Sequence, residues 1–501
     1  MTTDATGPFA GAGSHLVVIG GGPAGLVAAR AALVRAAAGR GATPTGVRVT
    51  VLEAAPAVGG CVARHQVGGL ALDAGAESFA TRGGAVAQLV DELGLGDRLE
   101  WPNAAGAWLH LPDGPVPAPK GGLLGIPVDP LASDVVAAIG AAAAQRAARD
   151  LTDPWPDGFA PRTLGELVRV RMGTAVLDRL VSPVATGVYS TAADDLDIDA
   201  VAPGLGAALV RTGSLARAVA ELRQAGSARP AAPGSAAGGL RGGMWTLIDA
   251  LAADVTARGG VIRAGVRAVG LSRAADGWRV RLAPPHPGAA ADGILHADVV
   301  IVATAQSDAM PLLADALAPG DLPTDWPEPT RVDLATLVLD ARELDAAPRG
   351  TGLLVADHAH ADVAAKALTH ATAKWSWLAA AAGSGRHVVR LSCGKTGQRN
   401  PAAGLDDAAL RALALQDAAT LLGVRLRPDQ VVGFARARWA TAVSLAAHGQ
   451  ADRVAAVRAA VAGETGLEVT GSWVAGTGLA SVVPDATDAG ARAFSRLARA
   501  R

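Results

Sequence analysis

From residue 15 the apolar positions come as an unbroken run, His15-Leu-Val-Val-Ile19, short for a helix and uniform enough for a strand buried on both faces. The run enters Gly20-Gly-Gly-Pro-Ala-Gly25 and then Leu26–Ala38, an Ala/Leu-rich stretch of high helix propensity. A second apolar run, Val47–Leu52, ends at Glu53. Strand, glycine turn, helix and strand in this order predict one nucleotide-binding unit. Gly20, Gly22 and Gly25 hold the positions of Gly-x-Gly-x-x-Gly: one for the tight turn, one for close approach of a pyrophosphate, one for helix–strand packing. Pro23 falls in the first helical turn, where its missing N–H does no harm. Glu53 is placed to hydrogen-bond two ribose hydroxyls. Gly25 precedes Glu53 by 28 residues, against about 20 in the usual unit. The excess is assigned to the Gly/Pro/Thr-rich loop Gly39–Gly46.

Farther along, Val86–Leu93 is amphipathic, Pro/Gly-rich loops cover Asp113–Pro130, and helices are expected over Ser133–Asp150 and Thr163–Leu180. The acidic group Asp194, Asp195, Asp197 and Asp199 lacks the glycine and distal glutamate of a calcium loop and reads as a solvated turn. Residues 224–239 form a flexible linker. Val261–Val269 and Trp278–Leu282 alternate as strands, and Ala297–Thr304 reads as a buried parallel strand. Between 330 and 440 an antiparallel sheet is expected from Thr330–Leu339, Gly352–Ala356, His387–Cys393 and Val431–Trp439. Leu467–Gly478 reads as a strand entering a Gly-x-Gly turn at Gly476 and Gly478, followed by a helix around Thr487–Arg499.

Composition narrows this picture. A chain of 501 residues exceeds one simple core, so two or three domains are expected. Half of the residues are apolar and the net charge is −1, which offers nucleic acid no electrostatic footprint. Two cysteines make no disulfide framework, and a reducing cytoplasm is the expectation. Met1–Gly13 lacks the features of a signal peptide and reads as a disordered leader. The longest apolar run, Val135–Ala144, is too short to span a bilayer, so only a peripheral membrane contact is left open. Asp357-His-Ala-His360 is weak evidence for a metal, none is assigned, and no Ser/His/Asp or Cys/His constellation is legible. Cys61 is expected as a small packed thiol.

Five segments, in order, carry a resemblance. Glu53 followed by Gly59-Gly60 is similar to the FAD signature of flavin amine oxidases and porphyrinogen oxidases. There the doublet lies against the pyrophosphate with a basic residue after it; here Cys61 stands in that place and the basic residue comes at Arg64. Gly75-Ala-Glu-Ser-Phe79-Ala-Thr-Arg82 resembles the protoporphyrinogen/coproporphyrinogen III oxidase family, although a hairpin with a helix cap at Ser78 or Thr81 would also account for it. Gly187-Val-Tyr, Arg241-Gly-Gly followed by a helix, and Gly476-Thr-Gly478 match further family segments. Val266 falls where related flavoenzymes touch adenine, and Lys374-Trp375 and His448 match family positions, though the proline expected before His448 is missing.

The resemblance implies an α/β fold. Its FAD-binding, Rossmann-like domain of the amine-oxidase type would be discontinuous (14–84, 236–308 and 441–501), with a helical cap (85–215) and a sheet-based substrate domain (309–440). It implies FAD held at Gly20, Gly22, Gly25, Glu53, Gly59, Gly60, Arg64, Val266, Gly476 and Gly478, with Arg82 and Lys374 as candidate substrate contacts. The expected reaction is the six-electron oxidation of a porphyrinogen, coproporphyrinogen III before protoporphyrinogen IX, with O2 reduced to H2O2 in heme biosynthesis. A ferrochelatase is a candidate partner, and catalytic residues are not assigned. Another flavin amine-oxidase-type enzyme, or an FAD- and porphyrin-binding protein without turnover, stays open.

Overall fold

The run His15–Ile19 extends by one residue to give β1 (Ser14–Ile19), the centre of a five-stranded parallel sheet. In the computed structural model the described residues are 14–38, 46–226, 237–284, 293–359, 362–441 and 446–499. The expected leader, residues 39–45 of the loop, 227–236 of the linker, His360 and residues 442–445 lie outside them. With α1 (Pro23–Ala38) and β2 (Val47–Glu53), the sheet runs Val261–Ala264, β2, β1, Val299–Val302, Leu467–Val469.

Alternate side chains explain why the strands read as continuous apolar runs. Leu16, Val18, Val49, Val51, Val299 and Ile301 pack beneath α1, Trp245–Ala257 and Leu479–Arg499. Val17, Ile19, Leu52, Val300 and Val302 pack on the opposite face, against an antiparallel sheet (Ala268–Ala274, Gly277–Leu282, Ile294–Ala297) and the helices Gln306–Ala316 and Gln450–Gly463. Both faces are covered, so no polar alternation survives in the sequence. The Ala-rich composition of α1 lets the last helix come close: a Cβ on Gly490 would stand 2.2 Å from the Ala28 carbonyl oxygen.

Several expected elements divide at glycines. The stretch 133–150 is two helices, Ser133–Ile139 and Ala141–Ala148, parted at Gly140 with φ 83°. The stretch 163–180 is capped by the Thr163 hydroxyl and breaks at Gly173, giving Leu164–Met172 and then further helical turns. The single strand expected over 261–269 is two strands in different sheets, because Gly265 at φ 73° turns the chain between them. At the C-terminus a helical turn, Ser472–Ala475, intervenes between the strand and Gly476. The final helix then starts at Leu479 rather than near Thr487 and contains Pro484. Pro484 falls in its second turn, near an end that has few intrahelical hydrogen bonds to lose.

The second large sheet has seven strands: Val431–Thr441, Thr330–Asp340, Arg386–Cys393, Ala367–His370, Gly352–Val355, Trp108–Leu111 and Gly114–Pro117. Its last two strands come from residues 108–117, within the mainly helical stretch, and Trp108–Leu111 adds parallel to Gly352–Val355. One face shares a core with the helix Asp407–Leu422 and the helices of residues 133–219. The opposite face packs Val338 and Val388 against Val67 and Leu72 of the hairpin Arg64–Val67/Leu70–Asp73. That hairpin follows the glycine turns directly and so joins the two sheets.

Candidate active site

Two glycine turns meet at the C-terminal ends of β1 and β2. Gly59 donates its N–H to Gly21 O at 2.9 Å, and Gly20 donates to Leu52 O at 2.8 Å. A Cβ on Gly25 would lie 1.8 Å from Gly20 O, so this close crossing of helix and turn admits only glycine. A Cβ on Gly60 would come 3.4 Å from the Gly22 Cα, so side chains at this pair would fill the space between the turns. Above them the first amides of α1 have no intrahelical acceptors, and the helix dipole favours an anion there. A bare cradle with free amides fits the pyrophosphate of a dinucleotide flavin.

Glu53 stands beside it. Its Oε2 accepts the Gly21 N–H at 2.8 Å and its Oε1 accepts the Ala55 N–H at 2.7 Å. These bonds orient the carboxylate and leave lone pairs for ribose hydroxyls. The Glu53 carbonyl accepts the Val266 N–H at 2.8 Å, which brings Val266 next to the Glu53 carboxylate. Gly476 and Gly478 have φ 104° and 96°, and their turn delivers the N-terminus of the last helix. The exposed Arg82 donates to the Ser481 hydroxyl at 2.7 Å on that helix, which ties the segment Gly75–Arg82 to the helix after the Gly476–Gly478 turn.

Cys61 and Arg64 follow the second glycine turn. Cys61, expected as a small packed thiol, is surface-exposed as a residue on the turn after Gly60, while burial still raises its thiol pKa; its carbonyl accepts the Ala76 N–H. Arg64 is exposed on the hairpin, and its guanidinium stacks on the Trp245 ring at 4.7 Å.

Glu77, expected only as a family marker, is the centre of a buried ion cluster. Lys374 Nζ lies 2.6 Å from Glu77 Oε1, and Arg390 lies 3.1 Å from Oε2. Burial pushes the Glu77 carboxyl up, but Lys374 and Arg390 outweigh it and hold it at about 2. Arg390 also donates to Gly75 O at 2.6 Å, and Trp439 Nε1 donates to Ala74 O at 3.2 Å. Lys374 is thus engaged with a carboxylate of its own chain. Asp73 accepts the N–H groups of Met244 and Trp245, both at 3.1 Å, capping the helix after Gly242-Gly243; burial raises its pKa to about 6. Sequence reasoning missed Arg390, Asp73 and Trp439. Arg390 had a signal, a lone arginine amid the apolar strand His387–Cys393.

The remaining candidates lie apart from this cluster. His448 donates its backbone N–H to Asp195 O and lines an apolar cavity of about 710 Å³ with Trp155 and Phe159. Asp194 pairs with Arg169 at 2.6 Å, and Asp197 caps the helix Ile198–Val201. Among the described residues no three His, Cys, Asp or Glu side chains converge as a metal site, and no helix is long and apolar enough to cross a membrane.

Residues 23–497 match the flavin-containing amine oxidoreductase family, and the chain belongs to it. It is an FAD-dependent oxidase with the α/β fold expected for that family. Among curated relatives it is 32% identical to the coproporphyrinogen III oxidase of Mycobacterium tuberculosis over 93% of this chain and 94% of that one. It is 27% identical to the enzyme of that name from Bacillus subtilis, over 96% and 97%. A suggested protoporphyrinogen oxidase from Exiguobacterium sp. 255-15, solved by crystallography, superposes with a TM-score of 0.79 at 26% identity, over 96% of this chain and 99% of that one.

Proposed function

We propose that this chain oxidises coproporphyrinogen III to coproporphyrin III. The observation that carries the reading is likeness to coproporphyrinogen III oxidases along nearly the whole length of both chains. The chemistry that FAD supplies when bound is acceptance of hydride from the macrocycle and return of both electrons to O2. Three rounds remove six electrons and six protons from the porphyrinogen and turn three O2 into three H2O2.

The chain's own groups bind and position. The glycine turns and Glu53 hold the adenosine diphosphate half. The N-terminus of Leu479–Arg499 directs N–H donors toward the turn at Gly476–Gly478, where developing negative charge is stabilised. The Glu77 cluster fixes the seven-stranded sheet against the cofactor region and keeps the geometry between them constant. Arg82 offers an exposed guanidinium to a propionate beside that turn. No strong general base is required, in keeping with carboxylates that are committed to capping and ion pairing.

Protoporphyrinogen IX is the competing substrate, favoured by the superposition on the Exiguobacterium protein. It carries two propionates where coproporphyrinogen III carries four. An aerobic assay of porphyrin fluorescence with both substrates decides between them through kcat/KM. Preference for coproporphyrinogen III is expected; preference for protoporphyrinogen IX overturns the substrate, and no turnover of either overturns the reaction.

A further inference from the structure

The Gly476–Gly478 turn lies on the same edge of the parallel sheet as the nucleotide cradle, and near neighbours join the two. A Cβ on Gly20 would stand 2.7 Å from Ala303 O and 3.0 Å from the Thr304 nitrogen. The Thr304 carbonyl accepts the Trp473 indole N–H at 3.2 Å, and Trp473 belongs to the helical turn Ser472–Ala475 that leads into Gly476. Both α1 and Leu479–Arg499 begin at this edge, and they pack side by side through Ala28 and Gly490.

The turn itself has little to hold it. Ala475 and Gly476 donate their N–H groups to Gly471 O and Ser472 O, which completes the helical turn. Thr477 and Gly478 are exposed. Among the described residues no acceptor meets the N–H groups of Thr477, Gly478, Leu479 and Ala480. Donors are thus left at the turn, and where they point depends on how its two limbs are fixed.

One side chain fixes both limbs. Arg458 is half-buried on the helix Gln450–Gly463. Its Nη2 donates to Val474 O at 3.0 Å on the incoming limb and to Asp485 Oδ1 at 2.6 Å on the outgoing one. Asp485 Oδ2 accepts at 2.7 Å the hydroxyl of Thr470, a fully buried residue that follows the strand Leu467–Val469. Strand end, helical turn and final helix are tied at one point behind the turn. An isolated surface ion pair would hold little, but this one shares its donors and acceptors with a carbonyl and a buried hydroxyl.

We propose that Arg458 and Asp485 are positioning residues for the flavin. Their network sets the angle at which the amides of Thr477 to Ala480 meet the ring, and so how strongly the reduced, anionic form is held. This rests on the reading of Gly476–Gly478 as a flavin contact; it does not depend on which porphyrinogen is oxidised.

The test is the two-electron potential of bound FAD, measured on the holoenzyme without porphyrinogen. Thr477→Asp checks the reading first. A carboxylate at the exposed tip of the turn should lower the potential, and an unmoved potential overturns the reading and the proposal with it. Arg458→Met should weaken binding of reduced FAD about tenfold more than that of oxidised FAD, a fall of about 30 mV. The double variant Arg458→Met/Asp485→Asn keeps the net charge of the parent pair, so it separates position from charge. Its potential should stay low. A return to the parent value would mean that the pair acts by charge alone. Parent potentials in both variants with a lowered Tm, while Thr477→Asp still responds, would mean that it is structural alone. Either result overturns the proposal and leaves the turn reading standing. Should Arg458→Met not retain FAD, Arg458→Lys keeps the charge on a side chain too short for both acceptors. A smaller fall in potential is then expected, and the parent value overturns the proposal.

Discussion

The two sheets hold their functional parts by different means. At the parallel sheet, the proposed cofactor cradle rests on absent side chains: Gly25 lets helix and turn cross, and Gly22 and Gly60 leave the space between the turns bare. At the seven-stranded sheet the joint rests on charged side chains, Glu77 from one segment and Lys374 and Arg390 from neighbouring elements far along the chain, gathered at one buried point. The first device is local and unforgiving, since backbone cannot move aside for a Cβ. The second is assembled over long range and fails by losing a partner. Cofactor binding and sheet docking should therefore respond differently to substitution.

The largest effect belongs to the backbone device. Gly25→Ala puts a Cβ against the Gly20 carbonyl, and a loss of at least about 4 kcal/mol, or no folded flavoprotein at all, is expected. Expression with full FAD content and unchanged Tm would break the comparison on that side.

Next comes the ion cluster. Glu77→Ala leaves Lys374 and Arg390 facing each other, and removal of one partner from such a buried group costs about 3 kcal/mol. Urea unfolding should show this loss, and FAD should remain bound under native conditions. A Glu77 variant of parent stability that loses FAD would place the residue in the cofactor site instead.

Glu53→Ala should weaken FAD retention by about 1.5–3 kcal/mol, the range for hydrogen bonds to a charged group. Part of that loss comes through Gly21, whose N–H the carboxylate holds, so added adenosine should protect the variant less than the parent against thermal unfolding. Equal FAD affinity in the two proteins would show that the ribose is held elsewhere.

The smallest effect is pH-linked and compares a buried histidine on each sheet. His15 pairs through Nδ1 with His296 O and through Nε2 with Thr50 Oγ1, whereas His370 pairs through Nε2 with His387. Burial first, and then neighbouring positive charge for His370, lowers each to about 4 from the ordinary 6.5. Unfolded chains bind these protons below pH 6.5 and the folded protein only near 4, so stability is complete above 6.5 and falls as the pH drops toward 4. Each contributes about 2 kcal/mol or less by pH 5. Unfolding free energies from pH 7.5 to 4.5 should show this slope, flattened in His370→Leu; a flat parent profile would mean that neither imidazole is held neutral.

By itself the sequence determined the parallel sheet, its glycine turns and Glu53, because strand, turn and helix are contiguous and their geometry depends on φ, ψ and the size of one residue. It also determined most strands of the second sheet, through their length and apolar content. Boundaries at Gly140, Gly173 and Gly265 escaped it, since a lone glycine ends an element only where its surroundings demand positive φ. Only the tertiary structure decided that Lys374 answers Glu77, that residues 108–117 complete a sheet, and that Lys366 meets Ser190. Those partners lie well over a hundred residues apart, and a charge pattern along the chain carries no record of which opposite charge it will face once both are buried.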